Sequence, residues 1–464
     1  MKNKSQSWHG YSDLNSFLDA LKEDKDLIEI DEEVSPRFEI GAVLAELSEK
    51  GGPAVLFTNV AGFAGISTVG NVMGHRRRLA KALGVEETKL INTFWERKKQ
   101  RIPSVKVTKA PVKEVKIGAN EVDLLHILPA LFHHEKDSSP YLTCAVTFAR
   151  DPETGHQSMG MHRIQIKSNK ILSVYLATPP LSRFLQKARE MNKPLDVAVV
   201  IGPDPAVLMA SVTWCPEGDD KIEIAGGLRQ KPVRMVQCET VNIEVPINSQ
   251  YLIEGVIQPG HVAREGIFGE SSGTYVEGIQ SPVISVTHVS HRESPLYQAL
   301  LTWSSEDDAL LNLCFGSDLL ENLKKDFAFV RDLHMIPGTV GAHVIVSVRE
   351  CSRPMLRSVI VAVLTRNPFV KMVIAVDDDI DIWTRREVEW AIATRFQGDQ
   401  NLILIPRIQG SMIDPSVSVD GSSCKIGIDA TYPKERGSFF QKIKIPEESR
   451  KRAIEILDKI RGNI

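Results

Sequence analysis

Thr143-Cys-Ala-Val-Thr-Phe148, His162-Arg-Ile-Gln-Ile166, Ile171-Leu-Ser-Val-Tyr175 and Asp196-Val-Ala-Val-Val-Ile201 are short segments rich in β-branched residues, bounded by glycine, proline or aspartate. Segments of this kind read as strands, because branched side chains pack well on a pleated surface. Asp151-Pro-Glu-Thr-Gly155 has turn chemistry and lies between the first two. Thr240-Val-Asn-Ile-Glu-Val245 and Val283-Ile-Ser-Val-Thr287 add further strands. So many short strands at this spacing predict a β-barrel-like centre rather than a doubly wound sheet. One helix, from about Pro180 to Met191, is expected to interrupt them.

On either side the pattern changes to alternating helix and strand. Leu14, Phe17, Leu18 and Leu21 recur at helical spacing, and Asp26-Leu-Ile-Glu-Ile-Asp31 reads as extended. A second helix carries Ile40, Val43, Leu44 and Leu47; Gly51-Gly52-Pro53 ends it, and Ala54-Val-Leu-Phe57 is a buried strand. After Leu301, strands at Val344 to Val348, Met372 to Val376 and Leu402 to Ile405 alternate with helices such as Arg386 to Phe396. The tail from Pro446 to Ile464 places Ile454, Ile456, Leu457 and Ile460 on a charged helix. The fold class expected is therefore α/β and multi-domain. It comprises an N-terminal α/β domain (1–111), a central split β-barrel-like domain (112–309) and a C-terminal α/β domain (310–464).

The chain has 464 residues, too many for one ordinary core, and its 42% hydrophobic and 25% charged content is that of a globular protein. With 56 basic against 59 acidic residues, nothing favours nucleic acid or a membrane surface. Met1 to Gly10 is polar and no apolar run reaches the length of a bilayer span. The six cysteines are scattered without a CxxC pair, which argues against a disulfide framework and a thiolate zinc site. A cytoplasmic enzyme is expected.

The densest chemistry lies in Arg264-Glu265-Gly266-Ile267-Phe268-Gly269-Glu270-Ser271-Ser272-Gly273. A glycine-rich turn can present both carboxylates to one ligand, and two carboxylates in one pocket tune one of them toward acid work. Upstream, Ser158-Met-Gly-Met-His-Arg163 leads into an apolar strand, where the charge of Arg163 needs a partner. Glu265 is the natural candidate. Glu223 precedes Gly226-Gly227, a pattern that on its own can simply start a loop. In Val376-Asp-Asp-Asp-Ile-Asp381 the aspartates can bind a metal or cap the following helix, and capping with domain packing is favoured.

Taken in order, these motifs resemble the UbiD family of decarboxylases. The resemblance runs through Asn71, Gly74, Arg78 and Ala82-Leu-Gly84, then Asp151 to Gly155, Gly160-x-x-Arg163, and Glu223 with Ala225-Gly-Gly-Leu228. It continues through Glu265-Gly-x-Phe-Gly-Glu270, the aspartate cluster, Trp390-Ala391, Thr394-Arg395 and Asp429-Ala-Thr431. The resemblance implies prenylated FMN, a flavin with an extra ring that takes up the electrons as CO2 leaves. It further implies reversible, non-oxidative decarboxylation of an aromatic or α,β-unsaturated acid, possible aromatic acyl-CoA carboxylates included. Arg163 and Glu265 then match the ion pair beside the cofactor and Glu270 the proton donor. Ser158, Met161, Arg163, Val212, Thr213 and Glu223 match the cofactor-binding positions. A flavin prenyltransferase of the UbiX kind is implied as cofactor supplier, and a homodimer or higher homo-oligomer as the assembly, with Leu310 to Leu323 and the final domain at its interface.

The family usually holds the cofactor phosphate through a divalent metal, typically manganese, with potassium nearby, on Asn, His and Glu ligands. Glu223 matches the Glu; Ser158 stands at the Asn position, and ungapped spacing puts Leu181 where a His is often found. Leucine cannot ligate, so divalent metal is expected to bind weakly or not at all, with basic residues supplying the charge. Val212 and Thr213 fall on the segment whose carbonyls usually hold potassium. Two alternatives stand beside the decarboxylase: a flavin-binding reductase, and a non-catalytic UbiD-like subunit of a larger complex.

Overall fold

The computed structural model describes residues 10–216, 218–433, 442–443 and 445–461. Residues 1–9, expected from their polarity to carry no secretory signal, and residues 462–464, the last of the tail read as helical, lie outside the described residues.

The central strands assemble into one antiparallel sheet. From edge to edge run Tyr141–Leu142, Ile164–Ser168, Ile171–Val174, Gln280–His291, Tyr251–Arg264, Leu195–Ile201, Ala145–Arg150 and Gln157–Met161. Val115–Gly118 also pairs with Gln280–His291. The two edges belong to the same hairpin: Leu142 pairs with Ile164, whereas Val146 pairs with Met161. The sheet therefore rolls up until its ends meet at residues 143–144 and 162–163, where strand pairing lapses. It is not a closed barrel. Arg163 sits in the split.

Strand alternation gives this sheet two packed faces. Val146, Phe148, Met159, Ala198, Val200 and Leu252 share a core with the helices Pro205–Val212 and Lys221–Arg229. Ala145, Ala149, Ile164, Val197, Val199 and Ile253 pack on the other side with Leu181–Glu190. Among the described residues, three helices of eight residues or more thus interrupt the strands where one was expected, besides the four-residue helix Leu124–Ile127. Both missed helices lack an amphipathic stripe: Pro205–Val212 is buried nearly all round, leaving no periodicity, and so is most of Lys221–Arg229. Thr240 to Val245 is largely turn: the strand spans only Glu244–Pro246, because Glu239 N, Thr240 N and Thr240 Oγ1 donate to the buried Glu254 carboxylate instead of joining a ladder.

The N-terminal sheet runs Leu27–Ile30, Ala54–Phe57, Ser67–Gly70 and then Leu296–Gln298, a strand borrowed from the end of the central region. At the other end, Val330–Met335, His343–Val348, Met372–Asp377, Ser422–Asp429 and Leu402–Gln409 form a mixed sheet flanked by Arg353–Arg366 and Arg385–Arg395. The helix Ser305–Asp326 leads into it. Leu310, Leu313, Leu320 and Leu323 of that helix are buried in the chain's own cores, while Leu311, Phe315 and Asn322 of the same segment keep some exposure. The aspartate cluster does structural work: buried Arg395 bonds Asp377 and Asp379, while Asp381 receives Trp383 N and Thr384 Oγ1 ahead of the next helix.

Candidate active site

Phe268–Gly269 pairs with Tyr275–Val276, so the glycine-rich stretch is a hairpin whose tip is Glu270 to Gly273. Of its three glycines only Gly273 has positive φ, at 74°. Gly266 and Gly269 are needed for close approach: a Cβ on the former would lie 1.9 Å from Ser138 Oγ, and on the latter 2.3 Å from His134 Nδ1. The hairpin base is fixed from three sides. Gly269 N donates to Asp137 at 3.0 Å, Gly266 N to Gln165 Oε1 at 3.1 Å, and Thr302 Oγ1 to Gly269 O at 2.6 Å.

This scaffold brings Glu265 and Glu270 to Arg163. Arg163 Nε donates to Glu265 Oε1 at 2.8 Å and Nη2 to Oε2 at 3.1 Å, a bidentate pair, while Nη1 bonds Glu270 Oε2. Ser281 Oγ donates to Glu265 Oε2 at 3.2 Å. The guanidinium also lies 4.3 Å from the Tyr175 ring centroid and 5.6 Å from that of Phe268. Burial opposes the Arg163 charge, but the two carboxylates outweigh it and hold the pKa above the ordinary value. The sequence pointed to Glu265 as the partner; that one guanidinium serves both carboxylates emerges only from the fold.

The other expected site residues lie on the edge strand that runs into Arg163 and on two helices of the central region. Ser158 and Met161 are on the edge strand Gln157–Met161; Ser158 Oγ is buried with no hydrogen-bond partner among the described residues. Val212 ends one helix and Thr213 caps it, its hydroxyl turned back to Met209 O at 2.9 Å. Glu223 is in the first turn of a helix, not at the start of a loop. Two positions before it, buried Lys221 donates to Ser211 O at 2.8 Å, and burial pulls its pKa down to about 8. His162 is buried with both ring nitrogens unpartnered among the described residues, its pKa lowered to about 3 by burial. Orphaned polar atoms on this edge fit a polar cofactor. A divalent metal fits poorly: Leu181 is sealed in the core, and the described residues hold no cluster of three His, Cys, Asp or Glu side chains able to take an ion. Lys371, Lys425 and Arg292 are engaged with Asp414, the Leu364 carbonyl and Asp13 respectively.

Sequence reading missed Thr302 to Asp308. Ser304 caps a helix whose first turn is Glu306-Asp307-Asp308. Glu306 accepts from Met73 N at 2.7 Å, Asp307 from Trp303 N at 3.1 Å and Asp308 from Gly338 N. The signal available was a serine followed by three acids, which reads equally well as an ordinary helix start.

A rolled antiparallel sheet carries an arginine and two acids at its split, and comparison with known proteins gives the family. Residues 18–98, 104–305 and 315–430 match the N-terminal, Rift-related and C-terminal domains of 3-octaprenyl-4-hydroxybenzoate carboxy-lyase. The chain belongs to the UbiD family of carboxy-lyases. It is 31% identical to anhydromevalonate phosphate decarboxylase of Methanothermobacter thermautotrophicus, covering 93% of this chain and 99% of that one. It is 32% identical to phenolic acid decarboxylase of Streptomyces sp. strain D7, covering 92% and 94%. It superposes with a TM-score of 0.90 on the UbiD-class enzyme HmfF from Pelotomaculum thermopropionicum in complex with FMN, at 34% identity, covering 94% and 98%. An evolved dimeric form of that enzyme was solved with prFMN. No helix among the described residues is long and apolar enough to cross a membrane.

Proposed function

We propose that this chain is a prenylated-FMN-dependent enzyme that reversibly decarboxylates an aromatic or α,β-unsaturated carboxylic acid. One observation carries the reading: a single buried guanidinium holds Glu265 in a bidentate pair and Glu270 by its remaining nitrogen. Hydride transfer to flavin requires no such paired acid, which speaks against a flavin reductase. The presence of all three residues speaks against a non-catalytic subunit.

In this reading Ser158, Met161, Val212, Thr213 and Glu223 line the cofactor, and Arg163 orients the reacting end of the site. When bound, prenylated FMN supplies the electron sink for loss of CO2. Glu265 fixes the guanidinium plane, with Ser281 fixing Glu265. Glu270 delivers the proton to the carbon that loses the carboxylate. To do so it takes up a proton while Arg163 stays charged through Glu265. The bidentate pair leaves that exchange room, because only one nitrogen of Arg163 holds Glu270.

Three further assignments belong to this reading. Domains divide at 1–111, 112–309 and 310–464. The cofactor comes from a UbiX-like prenyltransferase in the cytoplasm. A homo-oligomer forms through the final domain, where Leu404, Met412 and Val419 are exposed. A potassium ion on the Val212 and Thr213 carbonyls accords with the resemblance, whereas tight manganese does not accord with Leu181 and Ser158. The test is reconstitution with prenylated FMN and a panel of cinnamate, 4-hydroxybenzoate and 3,4-dihydroxybenzoate, read as CO2 release and CO2 exchange. NAD(P)H oxidation with plain FMN and no CO2 release from a broad acid panel would replace the decarboxylase with the reductase.

A further inference from the structure

We infer that Thr302 is a positioning residue for Glu270, acting through the peptide group that joins Gly269 to Glu270. The role rests on the reading of Glu270 as proton donor. Phe268 pairs with Val276 and Gly269 with Tyr275, and Glu270 N donates to Thr274 O at 2.9 Å. Positions in an antiparallel pair alternate between bonded and non-bonded, so Gly269 is at a non-bonded one and turns its N–H and C=O away from the partner strand. Side chains from distant parts of the chain meet both groups there. Asp137 Oδ1 accepts from Gly269 N at 3.0 Å, and Thr302 Oγ1 donates to Gly269 O at 2.6 Å. The second contact holds the very peptide group whose nitrogen belongs to Glu270.

Glycine makes that hold necessary. A Cβ at position 269 would lie 2.3 Å from His134 Nδ1, so no stiffer residue fits. The backbone freedom glycine brings then stands one residue before the acid. Rotation there would swing Glu270 off its partners, which are Arg163 Nη1 at Oε2 and Ser271 N at Oε1, the latter 2.9 Å away. Thr302 is itself buried, and it follows Leu301, which lies in the core. Trp303 after it has a φ of 55°, a left-handed conformation uncommon for a bulky residue. The Trp303 ring closes on the far side of the tip, since a Cβ on Gly273 would lie 2.9 Å from it. Thr302 and Trp303 therefore bracket the acid, one at Gly269 before it and one at Gly273 after it. A hydroxyl that merely satisfied a buried carbonyl would change stability and leave turnover alone.

Thr302→Val keeps the side-chain shape and removes the donor, Thr302→Ala removes it without crowding, and Thr302→Ser keeps it. The first readout is amide hydrogen exchange in the cofactor-free chain. The Gly269 and Glu270 amides should exchange at least about tenfold faster in Thr302→Val and Thr302→Ala, and near the parent rate in Thr302→Ser. The second is CO2 release, by protein reconstituted with prenylated FMN, from a panel acid that the parent turns over. In the two donor-less variants kcat should fall about tenfold or more with KM within about twofold of the parent, and Thr302→Ser should restore most of it. Unchanged amide exchange in both donor-less variants, faster exchange with unchanged kcat, or Thr302→Ser as slow as Thr302→Ala overturns the inference. Glu270→Gln, run alongside, separates the two readings. Turnover near the parent rate in Glu270→Gln sinks the donor reading, whereas an inactive Glu270→Gln beside a fully active Thr302→Ala overturns the Thr302 role alone.

Discussion

Replacing Arg163 by alanine, alone and with Glu265→Ala, measures how much of the site is one electrostatic unit. The Arg163 side chain is 11% exposed and that of Glu265 only 2%, so little water screens them. Arg163→Ala deletes two hydrogen bonds of 2.8 and 3.1 Å to Glu265 and strands that carboxylate in the core. A buried pair broken from one side costs about 3–5 kcal/mol. It also removes the bond to Glu270 and the ring contact with Tyr175, leaving two carboxylates facing each other. Glu265→Ala costs about 2–4 kcal/mol, less because Arg163 keeps Glu270. Charge-assisted bonds contribute about 1.5 kcal/mol each at the low end. Two of them put the coupling at about 3 kcal/mol, so the double variant should be that much more stable than the sum of the singles implies. The assay is equilibrium urea unfolding of the cofactor-free chain, paired with flavin content after reconstitution, which Arg163→Ala should lower. Additivity within about 0.5 kcal/mol would mean that the two side chains do not act on each other, and the electrostatic account of the site would be abandoned.

Glu270→Gln preserves shape without the acid, so turnover should drop by about a hundredfold or more while flavin content stays near normal; a variant near the parent rate removes Glu270 as donor. Burial raises Glu306 and Asp307 to about 7 and Asp308 to about 6, so the folded chain binds more protons than the unfolded one from about pH 4 to 7. The stability these three carboxyls contribute should therefore fall as pH rises from about 4 to 7, by about 1.4 kcal/mol for each unit of pKa change. The buried histidines His133 and His162, lowered to about 3, and His334, lowered to about 4, act with the opposite sign up to their unfolded pKa of about 6.5, so the carboxyl contribution is read by difference from a variant. Glu306→Gln should raise the melting temperature at pH 8 relative to pH 6 when compared with the parent; an unchanged pH profile contradicts this account. Dialysis of cofactor-loaded protein against a chelator should strip divalent metal and leave the flavin bound; stoichiometric retained manganese, or loss of flavin with the metal, refutes the weak-metal reading. Light scattering at micromolar concentration should show a homo-oligomer, and a lone monomer counts against the C-terminal interface.

What the sequence determined by itself was whatever is written in local pattern. Helices with one apolar stripe, such as Leu14, Phe17, Leu18 and Leu21, and strands with β-branched runs, such as Leu195–Ile201, were legible because periodicity records which face is buried. The site acids were legible too, since a charged residue entering an apolar strand demands a partner and a glycine-flanked pair of carboxylates offers one. Elements buried all round carry no such record, which is why the helices on either side of Trp214 were missed. Only the tertiary structure could place Arg163 at the split of the rolled sheet, because that split is a lapse in pairing at residues 143–144 and 162–163 that no local signal marks. Only it could show Arg163 shared between Glu265 and Glu270, residues 102 and 107 positions away. A contact between distant segments depends on how whole elements pack, and a sequence read residue by residue contains no term for that.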